Sequence, residues 1–251
     1  MQQITPAIPF AWAWWDFDLG DIRPCDGTYC QYPIETLPPI PPLDGTLSWL
    51  GPLGWPVPPD ESPHQRARRE RDMAEVRVKT RDLATQAEQL GLRLPDAFTR
   101  IMAAPELLAR IPEYAGSWFS LYHAPLVPLS GSEDGFVVRF LNDQQDCILW
   151  YLYLSRHGAE AVLAVEDPYP EAPSPYLELL VAPDEDGPLT DAQQHVVLAH
   201  TYVCAPSFEA FIYRRWLEAT ISDKLNGFNS EPLTEEERRY LAHYRQAQPG
   251  L

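Results

Sequence analysis

From residue 62 onward, apolar and polar positions fall into patterns that predict helix, then strand, then helix. Ser62-Pro63 sets an N-cap residue beside a proline suited to a first helical turn. Met73, Val76, Thr80, Leu83, Ala87 and Leu90 then recur at spacings of three and four, and Gly91 ends the run. The stripe covers too few heptads to require a coiled coil, so packing on the same chain's core is expected. A second helix follows Leu94-Pro95-Asp96 and buries Phe98, Ile101 and Met102, and Pro105 restarts a turn carrying Leu107, Leu108 and Ile111. The pattern then shortens to strand length. Trp118–Tyr122, Leu126–Leu129 and Phe136–Leu141 read as strands, with Asp134-Gly135 as a turn. Asn142-Asp143-Gln144-Gln145-Asp146 reads as a polar loop, and Cys147–Leu154, apolar on both faces, as a central strand. Ala161–Val165, Tyr176–Val181 and His195–Tyr202 supply further strands, with Asp184-Glu185-Asp186 in an acidic loop.

The last third returns to helix. Ser207 can cap a run whose apolar face is Phe208, Phe211, Ile212, Trp216, Leu217, Ile221 and Leu225, and Asn226-Gly227 stops it. Thr234-Glu235-Glu236-Glu237 is a capping box for a final amphipathic helix with Tyr240, Leu241 and Tyr244. Helices, consecutive strands and helices in that order predict an α+β fold with a central antiparallel sheet flanked by helices. The expected organisation is an arm over 1–61, a body over 62–229, and a C-terminal helix and tail over 230–251.

The first 60 residues follow neither period. Thirteen prolines fall by Pro63, and Leu37-Pro38-Pro39-Ile40-Pro41-Pro42-Leu43 favours extended polyproline-II backbone. Five of the eight tryptophans lie in the same stretch: Trp12, Trp14, Trp15, Trp49 and Trp55. Disordered linkers are poor in aromatics, so this Pro- and Trp-rich extension is expected to pack on its own body or on a second subunit, which allows a homodimer through the arm.

Composition narrows the partners. The chain has 251 residues with 19 Lys+Arg against 36 Asp+Glu, a formal net charge of −17. Residues 116–229 alone hold sixteen acids and five bases. Such a surplus repels nucleic acid and anionic membrane surfaces. The arginines at 66, 68, 69 and 71 alternate with Glu70 and Asp72 on a helix face and are read as solvated charge. The segment Met1–Phe17 lacks the basic region of a signal peptide and no apolar run reaches spanning length, so a cytoplasmic protein is expected.

Candidate chemistry is sparse. No glycine-rich phosphate loop, H-E-x-x-H or G-x-S-x-G occurs, and the six histidines are scattered, so no cofactor, metal or catalytic residue is predicted. Cys25 and Cys30, spaced C-x4-C, could form half of a metal site with His64 or His123; they read better as two free thiols beside a turn. Cys147 and Cys204 read as small buried apolar residues.

Three segments carry a family resemblance. Glu88-Gln89-Leu90-Gly91-Leu92-Arg93-Leu94-Pro95-Asp96-Ala97-Phe98, Phe140–Trp150 with its Gln144-Gln145 loop, and Ser207-Phe208-Glu209-Ala210-Phe211-Ile212 resemble, in order, three motifs of the SUKH superfamily. In the second motif a glycine often follows the loop glutamine, where this chain has Asp146, and the first 60 residues have no counterpart in the family. The resemblance implies an α+β domain without a catalytic site. Bacterial members are mostly immunity proteins that neutralise toxins, many of them nucleases, and fungal members are regulatory scaffolds of cell-wall synthesis. The expected function is therefore a non-enzymatic immunity protein that blocks a basic toxin domain by occlusion, to which the acidic charge is suited. The alternative is a scaffold that recruits proteins through the proline-rich arm. Candidate contact residues are Asn142, Asp143, Gln144 and Gln145, with Asp184, Glu185 and Asp186; ordinary turn chemistry explains each of them equally well.

Overall fold

The computed structural model describes residues 8–50, 62–108, 110–112, 116–121, 126–129, 132, 134–145, 147–166, 196 and 198–247. Among these residues eight strands form one sheet: β1 (Ala11–Asp16), β2 (Cys30–Pro33), β3 (Ser117–Phe119), β4 (Val127–Pro128), β5 (Gly135–Asp143), β6 (Ile148–Ser155), β7 (Glu160–Glu166) and β8 (Thr201–Ala205). The order across it is β2-β1-β8-β7-β6-β5-β3, with β4 also beside β5. Every pairing is antiparallel except β1 with β8, which is parallel. The fold is α+β, and the proline-rich extension contributes two strands to its sheet.

Among the described residues, five helices accompany the sheet: α1 (Pro63–Gln89), α2 (Asp96–Ala103), α3 (Pro105–Leu108), α4 (Phe208–Leu225) and α5 (Glu235–Ala247). The local signals behave as their chemistry requires. Ser207 accepts the Ala210 N–H at 3.2 Å, capping α4. Thr234 and Glu237 exchange reciprocal bonds of 2.6 and 3.2 Å at the start of α5. Gly91 closes the α1 terminus at φ +72°, a left-handed conformation that glycine adopts without a Cβ clash. Thr80, Leu83 and Ala87 of the α1 stripe are buried, and the Gln86 amide ties α1 to both backbone groups of Leu126 at 3.2 and 2.9 Å.

The main core lies between one face of the sheet and the helices. Phe98, Phe140, Phe208 and Phe211 meet there with ring centroids 5.0 to 6.2 Å apart. Val137, Leu149, Tyr151, Leu163, Val165 and Val203 are buried on the opposite face. This double burial explains the apolar run of β6.

Three expectations need correction. Cys25 and Cys30 are joined by a disulfide and are not free thiols. Cys147 is half-buried at the end of a turn and does not lie in the core. His195–Tyr202 is not one strand: Val196, Leu198 and Ala199 are helical, and β8 starts at Thr201. The expected strand over 176–181 lies outside the described residues.

Candidate functional site

The predicted polar loop is shorter than its sequence suggests. Asn142 and Asp143 are the last residues of β5 and are buried, so neither side chain is free for a partner; Gln144 and Gln145 form the turn and are exposed. Asp184, Glu185 and Asp186 lie outside the described residues.

The buried pair organises what is exposed. One Asp143 carboxylate oxygen accepts the backbone N–H of Gln145 and of Cys147, both at 3.1 Å, which folds the turn over it. Its other oxygen accepts the Tyr29 hydroxyl at 3.2 Å. Asn142 accepts from Arg139 Nε and donates to the Trp118 carbonyl at 3.3 Å. In register, β3 sets Ser117 opposite Asp143 and Trp118 opposite Asn142. The Gln144 N–H donates to Gly116 O at 3.2 Å, and the Gln144 side chain lies where a Gly116 Cβ would stand, 2.4 Å from its Cδ. At φ +75° that glycine is also conformationally required.

Trp118 completes this end of the sheet. It is 39% exposed on edge strand β3, beside the glutamine turn. Sequence reasoning gave Trp118 only a place in a strand. The available signal was the alternation Ser117-Trp118-Phe119, which sets Trp118 on the face opposite two residues that pack inward.

A buried ionic layer supports this end. Arg215 of α4, fully buried, donates to Asp16 of β1 at 2.9 Å and to Ser117 of β3, and stacks 5.1 Å from the Trp150 ring. Tyr29 meets the same tryptophan in a T-shaped contact at 5.4 Å. Burial lifts the Asp16 carboxyl to about 6; Arg215 opposes the rise and the Glu218 charge adds to it. Burial likewise raises the Tyr29 phenol, keeping it a neutral donor to Asp143. A second layer lies one turn further along α4. Glu218 accepts two bonds from Arg23 at 2.6 and 2.8 Å, one from Trp14 Nε1 at 2.9 Å and one from Tyr240 at 2.5 Å.

The opposite end of β6 holds different features. The proline segment 38–43 separates two clefts, of about 440 and 810 Å³. Arg214 holds it by donating to Pro38 O at 2.9 Å. Glu160 lines the larger cleft and accepts weakly from the Phe208 N–H at 3.5 Å; burial raises its carboxyl to about 7. Eight residues of β6 separate this cleft from the glutamine turn, about 25 Å at ~3.3 Å per residue. The structure therefore does not bring the two features together. Among the described residues, no group of three or more His, Cys, Asp or Glu is placed to hold a metal ion, and no helix is long and apolar enough to cross a membrane.

No protein-family model matches the chain, and neither a curated protein nor a solved structure matches it.

Proposed function

We propose that this chain is a protein-binding domain that docks a basic partner through the end of the sheet carrying Trp118, Gln144 and Gln145, and that it acts as an immunity protein of the type the SUKH resemblance implies. The observation that carries this reading is a half-exposed tryptophan beside two exposed glutamines on a turn fixed from beneath by buried Asp143 and half-buried Tyr29, with buried Arg215 behind them. A rigid aromatic anchor with a polar rim is the usual anatomy of a protein contact. Charge supports the nature of the partner. Among the described residues Arg23, Arg139 and Arg215 are buried with Asp16, Asp143, Glu218 and Glu237; the remaining charged residues of the chain number 16 bases and 32 acids. An excess of that kind accelerates encounter with a basic domain and opposes nucleic acid.

The disulfide bears on the compartment. Such bonds persist in oxidising surroundings and are rare in the cytoplasm, so Cys25–Cys30 argues against the cytoplasmic expectation for any state in which the bond is closed.

The test is capture of a partner by the tagged chain from its native cells, followed by affinity measurement on that purified partner. Trp118→Ala is expected to weaken binding at least tenfold, about 1.4 kcal/mol or more. Gln144→Ala with Gln145→Ala is expected to act in the same direction, and raised salt to slow association. Unchanged affinity in both variants overturns the reading. One observation favours a second reading, an enzyme: Glu160 sits in a cleft with a carboxyl poised to exchange protons near neutrality. The scaffold alternative would use the exposed prolines Pro39, Pro41 and Pro42, which the partner capture also samples.

A further inference from the structure

The segment joining β1 to β2 is fixed at separate points. Arg23, at its middle, is locked onto Glu218 by two hydrogen bonds and stacks 4.1 Å from the Tyr32 ring. At its end, β2 pairs with β1 in a register that sets Cys30 opposite Asp16. Between them, residues 24–29 form no strand or helix, and Cys25 is bonded to Cys30. Both cysteines are half-buried, within reach of a small reductant. Tyr29, directly beside Cys30, places its hydroxyl on Asp143 and its ring against Trp150. The disulfide loop thus holds the side chain that braces the carboxylate on which the Gln144–Gln145 turn is folded.

We infer that Cys25–Cys30 is a redox latch on the glutamine turn: closed, it seats Tyr29 against Asp143, and opened by a dithiol reductant, it frees residues 24–29 and loosens the turn. This inference rests on the reading of Gln144 and Gln145 as a docking surface. The chemistry is ordinary exchange. One thiolate of the reductant attacks a sulfur of the pair, forming a mixed disulfide and expelling the other cysteine as a thiolate. The second thiol of the reductant then displaces the first cysteine. The chain gains two electrons and two protons, and the reductant leaves as its own disulfide.

The effect is local because the flanks do not depend on the bond. Arg23 stays paired with Glu218, and β1 stays paired with β8. Opening a loop of six residues shifts its closing equilibrium about 40-fold on chain-entropy grounds. Only part of that reaches the turn, since Asp143 keeps its own backbone contacts to Gln145 and Cys147.

The experiment uses the full chain, oxidised and then treated with dithiothreitol, with thiols counted by alkylation and mass. Amide hydrogen exchange is followed at Gln145 and Cys147 and, as an internal reference, across 211–221 of α4. The expected result is exchange at least 5-fold faster at 145 and 147 after reduction, with the α4 amides unchanged. Cys25→Ser with Cys30→Ser should reproduce it without reductant, and Tyr29→Phe should do so with the disulfide intact. Unchanged protection at 145 and 147 after reduction overturns the latch, as does finding no disulfide in the untreated chain. Exchange needs no partner, so the two readings fail separately. If Trp118→Ala and the glutamine variants leave binding intact while reduction still loosens the turn, the docking reading is lost and the latch remains.

Discussion

Arg23→Met isolates one buried ionic tie between the extension and the body. Glu218 is fully buried and accepts four hydrogen bonds, two of them from Arg23. Methionine keeps much of the stem and removes the cation, so the carboxylate retains only Trp14 and Tyr240. Breaking a buried ion pair on one side costs about 3–5 kcal/mol. Loss of the guanidinium over Tyr32 adds about 0.5–1 kcal/mol, and burial of the methionine returns about 1 kcal/mol. The expected loss is about 4 kcal/mol at pH 7, a large share of the 5–15 kcal/mol typical of a domain. Burial alone would raise the Glu218 carboxyl; Arg23, with Arg214 and the Tyr240 hydroxyl, outweighs it and holds the group below its ordinary value. In the parent chain the group's contribution is therefore present above the unfolded pKa and lost as pH falls through the folded one. In Arg23→Met only Arg214 and the Tyr240 hydrogen bond still oppose burial, so the folded carboxyl rises and stability recovers on acidification. Guanidinium unfolding followed by tryptophan fluorescence, without reductant, at pH 7 and pH 4 measures both effects. Arg23→Met with Glu218→Gln should recover at least half of the loss at pH 7, because no charge is left unpaired. A loss under about 1 kcal/mol, or a deficit equal at both pH values, would refute the argument.

Two further substitutions test other parts. Glu160→Gln should stabilise the chain at alkaline pH: a folded pKa of about 7 against 4.5 unfolded is a penalty absent below 4.5 and full above 7. After discounting for its partly open side, the gain is about 2 kcal/mol at pH 8 and nil at pH 4, read from denaturant midpoints. Gly116→Ala should cost about 1–2 kcal/mol, from the positive φ and the collision with Gln144, and should speed amide exchange at Gln144 in the same samples.

The helices and the central strands were legible because their signals are local. The Ser207 and Thr234 caps, the Gly91 stop and the double-sided apolar run of β6 each act within a few residues. What escaped depends on distant partners. β1 reads Ala-Trp-Ala-Trp-Trp-Asp, with no alternation, because Trp14 packs on Phe211 of α4 at 5.4 Å while Trp15 turns toward Tyr202 of β8 at 5.5 Å. Both faces are covered, as in any strand inside a two-faced sheet. Asn142 and Asp143 look like loop residues by type, yet both are buried because Trp118, Arg139 and Tyr29 satisfy them. Tyr29 carried no local signal at all, since its role comes from a disulfide loop without periodicity. Of the contact residues expected from sequence, the turn pair Gln144 and Gln145 is exposed as anticipated.

The buried arginines also bear on how the extension finds its place. β1 joins the sheet through a parallel edge with only two register pairs, Ala11 to Tyr202 and Trp12 to Val203, a weak basis for choosing an alignment. A slip of one residue would send Trp14 and Asp16 to the other face together, since both lie on the α4 side. It would strand Arg215 and Glu218 in the interior without Asp16 and Trp14, at several kcal/mol for each charge. Well-packed apolar residues at these positions could stabilise the fold as much, but they would tolerate the slipped register. The ion pairs are therefore better explained by the alignment they enforce than by net stability. Arg23→Met should accordingly broaden the amide spectrum of β1 before it unfolds the chain.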